Sequence, residues 1–254
     1  MRYQCIVAYD GYDYFGYQIQ NHEPLTIQQV IQEALQKLLK EKICIYASGR
    51  TDRKVHALGQ VFHFDTSYDL KEESIQKGLN SFLPQSIRIL KVNKVKDTFH
   101  ARYDVVSKQY LYRIQNTALD NPFLSRYVVF IKEPIHIDLL NQAGQLFVGE
   151  HNFKNFTTNR EDEVSTFIKK IMKVKVKVTK KEIQILFEGS GFLRSMVRLM
   201  VGAMLAVATQ KKDLTYIQSL LDLSSLEKCS YKAPPQGLYL KKVNYGRRWK
   251  TNAS

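Results

Sequence analysis

Along the 254-residue chain, apolar residues recur with a period of two in several short runs and with a period near 3.6 between them, so strands and helices are interspersed. A strand-like run opens the chain over residues 1–10. Ile43, Ile45 and Ala47 alternate with Cys44 and Tyr46, and Phe62, Phe64 and Thr66 alternate with Val61, His63 and Asp65, which predicts two strands bracketing a polar loop. Ahead of that loop, Thr26 and Gln29 have the spacing of a capping box, and Ile27, Val30, Ile31, Ala34, Leu35, Leu38 and Leu39 fall on one helical face. Asp69 and Glu72 mark a second helix that places Ile75, Leu79, Phe82 and Leu83 on one side and is followed by Pro84. A strand is expected over 87–95. In the next strand Lys108, Tyr110, Tyr112 and Ile114 share a face.

After a turn-rich stretch over 116–134, the spacing predicts a helix over 138–148 with Gly149 as its stop. Val174, Val176 and Val178 alternate with Lys173, Lys175 and Lys177, and Ile183, Ile185 and Phe187 form the returning strand of a hairpin. The lysine face must be solvated or bound to phosphate, and solvation is the default for a charged strand face. A helix over 192–209 carries the stripe Met196, Val197, Met200, Val201, Met204, Leu205 and Ala208, with Arg198 at its edge. A short helix over 215–223 and a closing strand after Ala233-Pro234-Pro235 complete the reading. No Pro/Gly/Ser-rich linker separates two halves, so a division near residue 103 implies halves that share structure.

With 44% hydrophobic residues, the chain can bury a core and is not disordered. The 38 Lys and Arg against 24 Asp and Glu give a net charge of +14, which points to a polyanionic partner, nucleic acid ahead of membrane. Cys5, Cys44 and Cys229 are far apart and show no Cys-x-x-Cys spacing, which argues against a disulfide framework or a zinc site and fits a reducing cytoplasm. Residues 1–10 lack the basic start and apolar stretch of a secretory signal. The longest apolar run, over 199–208, is shorter than the ~18 residues a transmembrane helix needs and reads as a core helix.

The chemistry concentrates in the polar loop. Asp52 stands there with Arg50, Arg53, Lys54 and His56 close by, a setting that favours the ionised carboxylate and leaves it able to attack carbon. Tyr12, Tyr14, Phe15 and Tyr17 form a ring-rich loop after the first strand, suited either to stacking on bases or to packing onto the core. Arg198, on the edge of an apolar stripe, asks for a carboxylate from elsewhere in the fold unless it is an ordinary helix-surface arginine, and Asp52 is the candidate partner.

Gly49-Arg50-Thr51-Asp52-x-x-Val55-His56-Ala57-x-Gly59-Gln60-Val61 resembles the signature of tRNA pseudouridine synthases of the TruA type. Phe99-His100-Ala101-Arg102, Lys108-x-Tyr110-x-Tyr112-x-Ile114, Gly149-Glu150-His151-x-Phe153, Gly191-Phe192-Leu193-x-x-Met196-Val197-Arg198 and Ala233-Pro234-Pro235-x-Gly237-Leu238 resemble further blocks of that family, in its order. The resemblance implies an α+β pseudouridine synthase fold: two similar halves, 1–103 and 104–254, sharing a mixed, largely antiparallel sheet with a central cleft. It also implies a homodimer acting on uridines of the tRNA anticodon arm without metal or cofactor. Asp52 would be the nucleophile, Tyr110 would stack on the target base and take a proton, and Arg198 would pair with Asp52. Arg50 would probe for the base, and Arg53, Lys54, His56, Arg102 and Lys108 would join it in binding RNA. Two departures stand out: Lys54 where the family usually has glycine, and Asn152 where it often has aspartate. The same chemistry on another RNA, such as ribosomal RNA, and a non-catalytic RNA-binding or RNA-folding factor are the competing readings.

Overall fold

The structure is a computed structural model that describes residues 1–20, 25–224 and 227–246. In chain order its regular elements begin with β1 (Arg2–Tyr9), α1 (Ile27–Leu39), β2 (Ile45–Ala47), β3 (His56–Asp65), α2 (Glu72–Phe82) and β4 (Ile87–Val95). They continue with β5 (Val105–Asn116), β6 (Val129–Ile131), α3 (Ile137–Gln145), β7 (Gly149–Asn152), β8 (Ile168–Val178), β9 (Ile183–Gly189), α4 (Met196–Ala208), α5 (Leu214–Leu221) and β10 (Leu238–Tyr245). The chain forms two compact units. One holds residues 1–108 together with β10 from its second residue, Tyr239, and the other holds 109–238. The expected division at 103/104 lies just before the observed 108/109, but the closing strand belongs with the first unit.

In the first unit, β1 buries Tyr3, Cys5, Val7 and Tyr9 at alternate positions. It lies antiparallel between β3 and β4, with Cys5 opposite both Phe62 and Val92. Because β1 occupies one edge of β3, the other edge is left for two short pairings. β2 pairs antiparallel at its far end, Tyr46 opposite His63, and β10 pairs parallel at its start, Tyr239 opposite His56. Thr26 caps α1 by accepting the Gln29 amide at 3.3 Å, but the Gln29 side chain donates to Glu33, so the reciprocal half of the capping box is not made. Asp69 is no cap of α2 either. It accepts from Lys94 at 2.6 Å, and the helix begins after Lys71. Ile75 and Leu79 are buried as expected, whereas Phe82, at the end of α2, is exposed.

In the second unit, β5, β9, β8 and β7 follow one another in that order, and β6 runs parallel to β5 with Ile114 opposite Val129. α3 ends at Gln145, earlier than expected, because Gly149 at φ +121° already opens β7. The lysine face of β8 is exposed at Lys173, Lys175 and Lys177. α4 is buried on nearly every side, from Met196 through Ala208, with Arg198 half-buried. Among the described residues no helix is long and apolar enough to cross a membrane. Each unit combines a largely antiparallel sheet with helices, so the α+β class implied by the resemblance holds.

Candidate active site

β2 stops at Ala47 and β3 starts at His56, and residues 48–55 between them form the polar loop. Its first residues are held by Gln60, a fully buried amide in β3. Gln60 Oε1 accepts from the Ser48 hydroxyl at 2.6 Å and the Val61 amide at 3.0 Å, and Nε2 donates to the Gly49 carbonyl at 2.9 Å. The Ser48 amide donates to the Val61 carbonyl, and the Lys108 amine donates to the Ser48 carbonyl at 2.7 Å. Further along, the Tyr9 and Thr51 hydroxyls share a buried hydrogen bond of 2.8 Å, and the Thr51 carbonyl accepts the Tyr17 amide. Inside a protein such bonds are stronger than in water, and a loop that satisfies its polar groups this way is rigid.

Asp52 then opens a turn. The Val55 amide donates to the Asp52 carbonyl at 3.1 Å, and Lys54, in the third position, has φ +65° while the φ of Arg53 before it is not positive, the sign pattern of a type II turn. A left-handed lysine costs about 1–2 kcal/mol. The ring-rich loop before α1 offsets part of that: the Lys54 amine lies 4.7 Å from the Tyr12 ring centroid and the Arg53 guanidinium 4.2 Å from that of Phe15, contacts each worth roughly 0.5–1 kcal/mol at exposed sites. Gly11 permits this clasp, since a β-carbon there would sit 1.9 Å from the Val55 carbonyl oxygen. Tyr14 and Tyr17 of the same loop are buried, so the ring-rich loop divides into core packing and cation contacts.

The structure brings Arg50, Asp52, Arg53, Lys54, His56, Arg102 and Lys108 into the first unit. Arg50, Arg53 and Arg102 are exposed, and Asp52 and Lys54 are half-buried. His56 departs from the expected RNA contact: its side chain is 2% exposed, Nδ1 accepts the Gly11 amide at 3.1 Å, and its ring stacks on Tyr239 at 4.8 Å. It organises the loop from within. Lys108 likewise spends its amine on Ser48. Burial, with the Arg102 charge adding to it, pulls the Lys108 pKa down to about 8.

Tyr110 and Arg198 belong to the second unit. Tyr110 stands edge-on to Phe192 at 5.0 Å between ring centroids. Arg198 Nε donates to the Ala233 carbonyl at 2.8 Å while the Ala233 amide returns a bond to the Arg198 carbonyl at 3.0 Å. The Tyr112 hydroxyl donates to the Pro234 carbonyl at 2.7 Å; burial pushes its pKa up, and the Arg198 charge pulls it the other way. The proline-stiffened segment is therefore tied to the helix that carries the arginine. Sequence reasoning assigned no role to Gln60, Ser48 or Tyr9. A lone amide at Gln60, between Gly59 and the apolar Val61-Phe62 pair, was the available signal for the first.

A family model described as tRNA pseudouridine synthase matches residues 5–104 and 143–246. A protein of Bacillus cereus named tRNA pseudouridine synthase A 1 is 42% identical over 249 residues, covering 96% of this chain and 98% of the relative. Proteins named tRNA pseudouridine synthase A from an Exiguobacterium species and from Leuconostoc citreum are 38% and 35% identical over 96% of this chain, covering 98% and 97% of their own lengths. A solved structure described as a Cbf5-Nop10-Gar1 complex matches with a TM-score of 0.31 and 13% identity, over 78% of this chain and 53% of that chain, too loosely to bear on the fold.

Proposed function

Because the chain belongs to the tRNA pseudouridine synthase family, we propose that it isomerises uridine to pseudouridine in tRNA, with Asp52 as the reacting carboxylate. The observation that carries this reading is the loop: Gly49-Arg50-Thr51-Asp52 sits on a backbone fixed by the buried side chains of Gln60, Ser48 and Tyr9. An acid on so constrained a support is positioned before substrate arrives, which removes reorganisation from the chemical step.

In the reaction the N1–C1′ bond breaks, the base turns, and a C5–C1′ bond forms. A proton leaves C5 and another is taken up at N1, so there is no net oxidation or reduction. Ionised Asp52 serves by attack on C6 of the base, by attack on C1′ of the sugar, or by assisting a glycal route. Tyr110 stacks on the base and relays the C5 proton, its hydroxyl releasing its own proton to solvent as it takes up the new one, and Arg198 pairs with Asp52 as its counter-charge. These two roles are supported by their places in the family blocks. Arg50 probes for the base, which must leave its stack at a cost of a few kcal/mol, and Arg53, Lys54 and Arg102 meet phosphates. Uridines of the anticodon arm as targets, a homodimer and a cytoplasmic location complete the reading, supported by the family resemblance and, for the last, by the unpaired cysteines.

Purified protein incubated with unmodified tRNA transcripts, followed by site-resolved pseudouridine detection, tests activity and target together. Pseudouridine at anticodon-arm positions is the expected result. No pseudouridine in any transcript would overturn the reading.

A further inference from the structure

We propose that Tyr46, His100 and Tyr103 form a stacking platform on the first unit that holds an unpaired base of the RNA substrate other than the reacting uridine; this rests on the proposed function above. Two large rings are left in solvent here, Tyr46 at 51% and Tyr103 at 76% exposure. They are not loose. The His100 and Tyr103 rings lie 4.3 Å apart at 33°, and Tyr46 lies 5.9 Å from His100 and stacks on buried His63 at 5.2 Å and 20°.

Backbone amides fix the two histidines. Nδ1 of His100 accepts from Arg102 at 3.1 Å and Tyr103 at 3.4 Å, and Nδ1 of His63 accepts from Ala101 at 3.1 Å. Burial and nearby arginines lower the pKa of both rings, so they are uncharged at neutral pH. A set of neutral rings held in place at the surface has little to do for folding, yet it offers the flat faces on which unpaired bases stack.

Charge selects nucleic acid over protein as the occupant. The Arg102 guanidinium stands 5.9 Å over the Tyr103 ring, where it can meet a phosphate while the ring meets a base. The neighbouring carboxylate, Asp104, is turned to the His100 amide at 2.6 Å and the chain as a whole carries +14. The platform also adjoins the reactive loop. The Arg102 charge bears on Lys108, whose amine holds the Ser48 carbonyl, and Tyr46, on β2, stands two residues before Ser48, the first residue of the loop. A nucleotide stacked here would anchor the strand beside the loop.

The test compares Tyr46→Ala/Tyr103→Ala with Tyr46→Phe/Tyr103→Phe for tRNA affinity at several salt concentrations, with melting temperature as the folding control. The double alanine variant should bind tRNA roughly tenfold more weakly or worse, with an unchanged salt slope, because rings and not charges are removed. The double phenylalanine variant should bind like wild type. Wild-type affinity in the alanine variant, or equal loss in the phenylalanine variant, would overturn the platform. A second readout does not depend on tRNA turnover: the emission of Tyr103→Trp, measured against the wild type's own Trp249 as background, should be quenched by an oligouridylate. If wild type makes no pseudouridine but this quenching occurs, the proposed function fails and the platform stands. Absence of quenching overturns the platform whatever the activity.

Discussion

In the first unit, Asp52 rides on a loop tied by side chains from distant segments, Tyr9, Gln60 and Lys108 among them. In the second unit, Arg198 rides on a helix that is apolar on nearly every side. The first arrangement is directional. Each bond specifies an angle and a distance, and leaving one buried partner unpaired costs about 1–3 kcal/mol. The second relies on burial and close packing, with a reciprocal bond between Arg198 and Ala233 setting only the segment that lies against the helix. A loop has no ladder of its own to hold it, so it needs borrowed hydrogen bonds. A helix brings its own ladder and needs only a buried stripe.

The largest effect expected is chemical. Asp52→Asn keeps the size of the side chain and removes the nucleophile, so isomerisation in a single-turnover assay should fall by at least about a thousandfold while RNA affinity stays within a few fold. Retained turnover would remove Asp52 from the mechanism. Next come two substitutions that set the units against each other. Gln60→Leu strands the Ser48 hydroxyl and the Gly49 carbonyl, and should cost about 2–3 kcal/mol of stability and lower kcat more than it raises KM. In Gly202→Ala the added β-carbon would meet the Tyr231 carbonyl oxygen at 2.2 Å, so the segment must shift at a cost of about 1–3 kcal/mol. Denaturant melts of both, with kinetics, decide whether the two supports differ as described: equal kcat losses at equal stability would erase the contrast.

Acid should strike the first unit through His63. Burial lowers its pKa from 6.5 to about 4, so between those values the unfolded chain binds a proton that the folded chain refuses. Stability is therefore complete above pH 6.5 and falls as pH drops through the window, by up to about 1.4 kcal/mol per pH unit. His63→Gln, which retains an acceptor for the Ala101 amide, should flatten that slope in melts between pH 7 and pH 4. The smallest effect is at Lys54. Lys54→Gly relieves a left-handed lysine but loses the contact with Tyr12, two terms of about 1 kcal/mol and opposite sign, so the melting temperature should move little. A salt slope reduced by about one phosphate on the same variant would assign the amine to RNA.

Much of the fold was legible because local periodicity carries it. α1 begins and ends at the residues the pattern marked, and β4 spans the expected run. Where the structure differs from the pattern, a competing partner is the cause. Asp69 is drawn to Lys94 from 25 residues away, the Gln29 side chain to Glu33 one turn along the same helix, and α3 stops short where β7 opens. In the site, the residue types and their spacing named Asp52 and its basic neighbours, but spacing could not tell an exposed cation from a buried one. His56 and Lys108 were expected at the RNA surface and are spent on the Gly11 amide and the Ser48 carbonyl.

By itself, the amino-acid sequence determined the elements, the basic character of the chain and the family blocks, because each is written in neighbouring residues or in their sum, and the resemblance of those blocks implied the α+β class. The tertiary structure alone decided which side chains hold the loop, that Lys54 takes a left-handed conformation against Tyr12, and that Tyr46, His100 and Tyr103 come together at the surface. The physical reason is range. A hydrogen bond such as that between Lys108 and Ser48 joins residues far apart in the chain, and only the folded backbone sets the distance over which it can form.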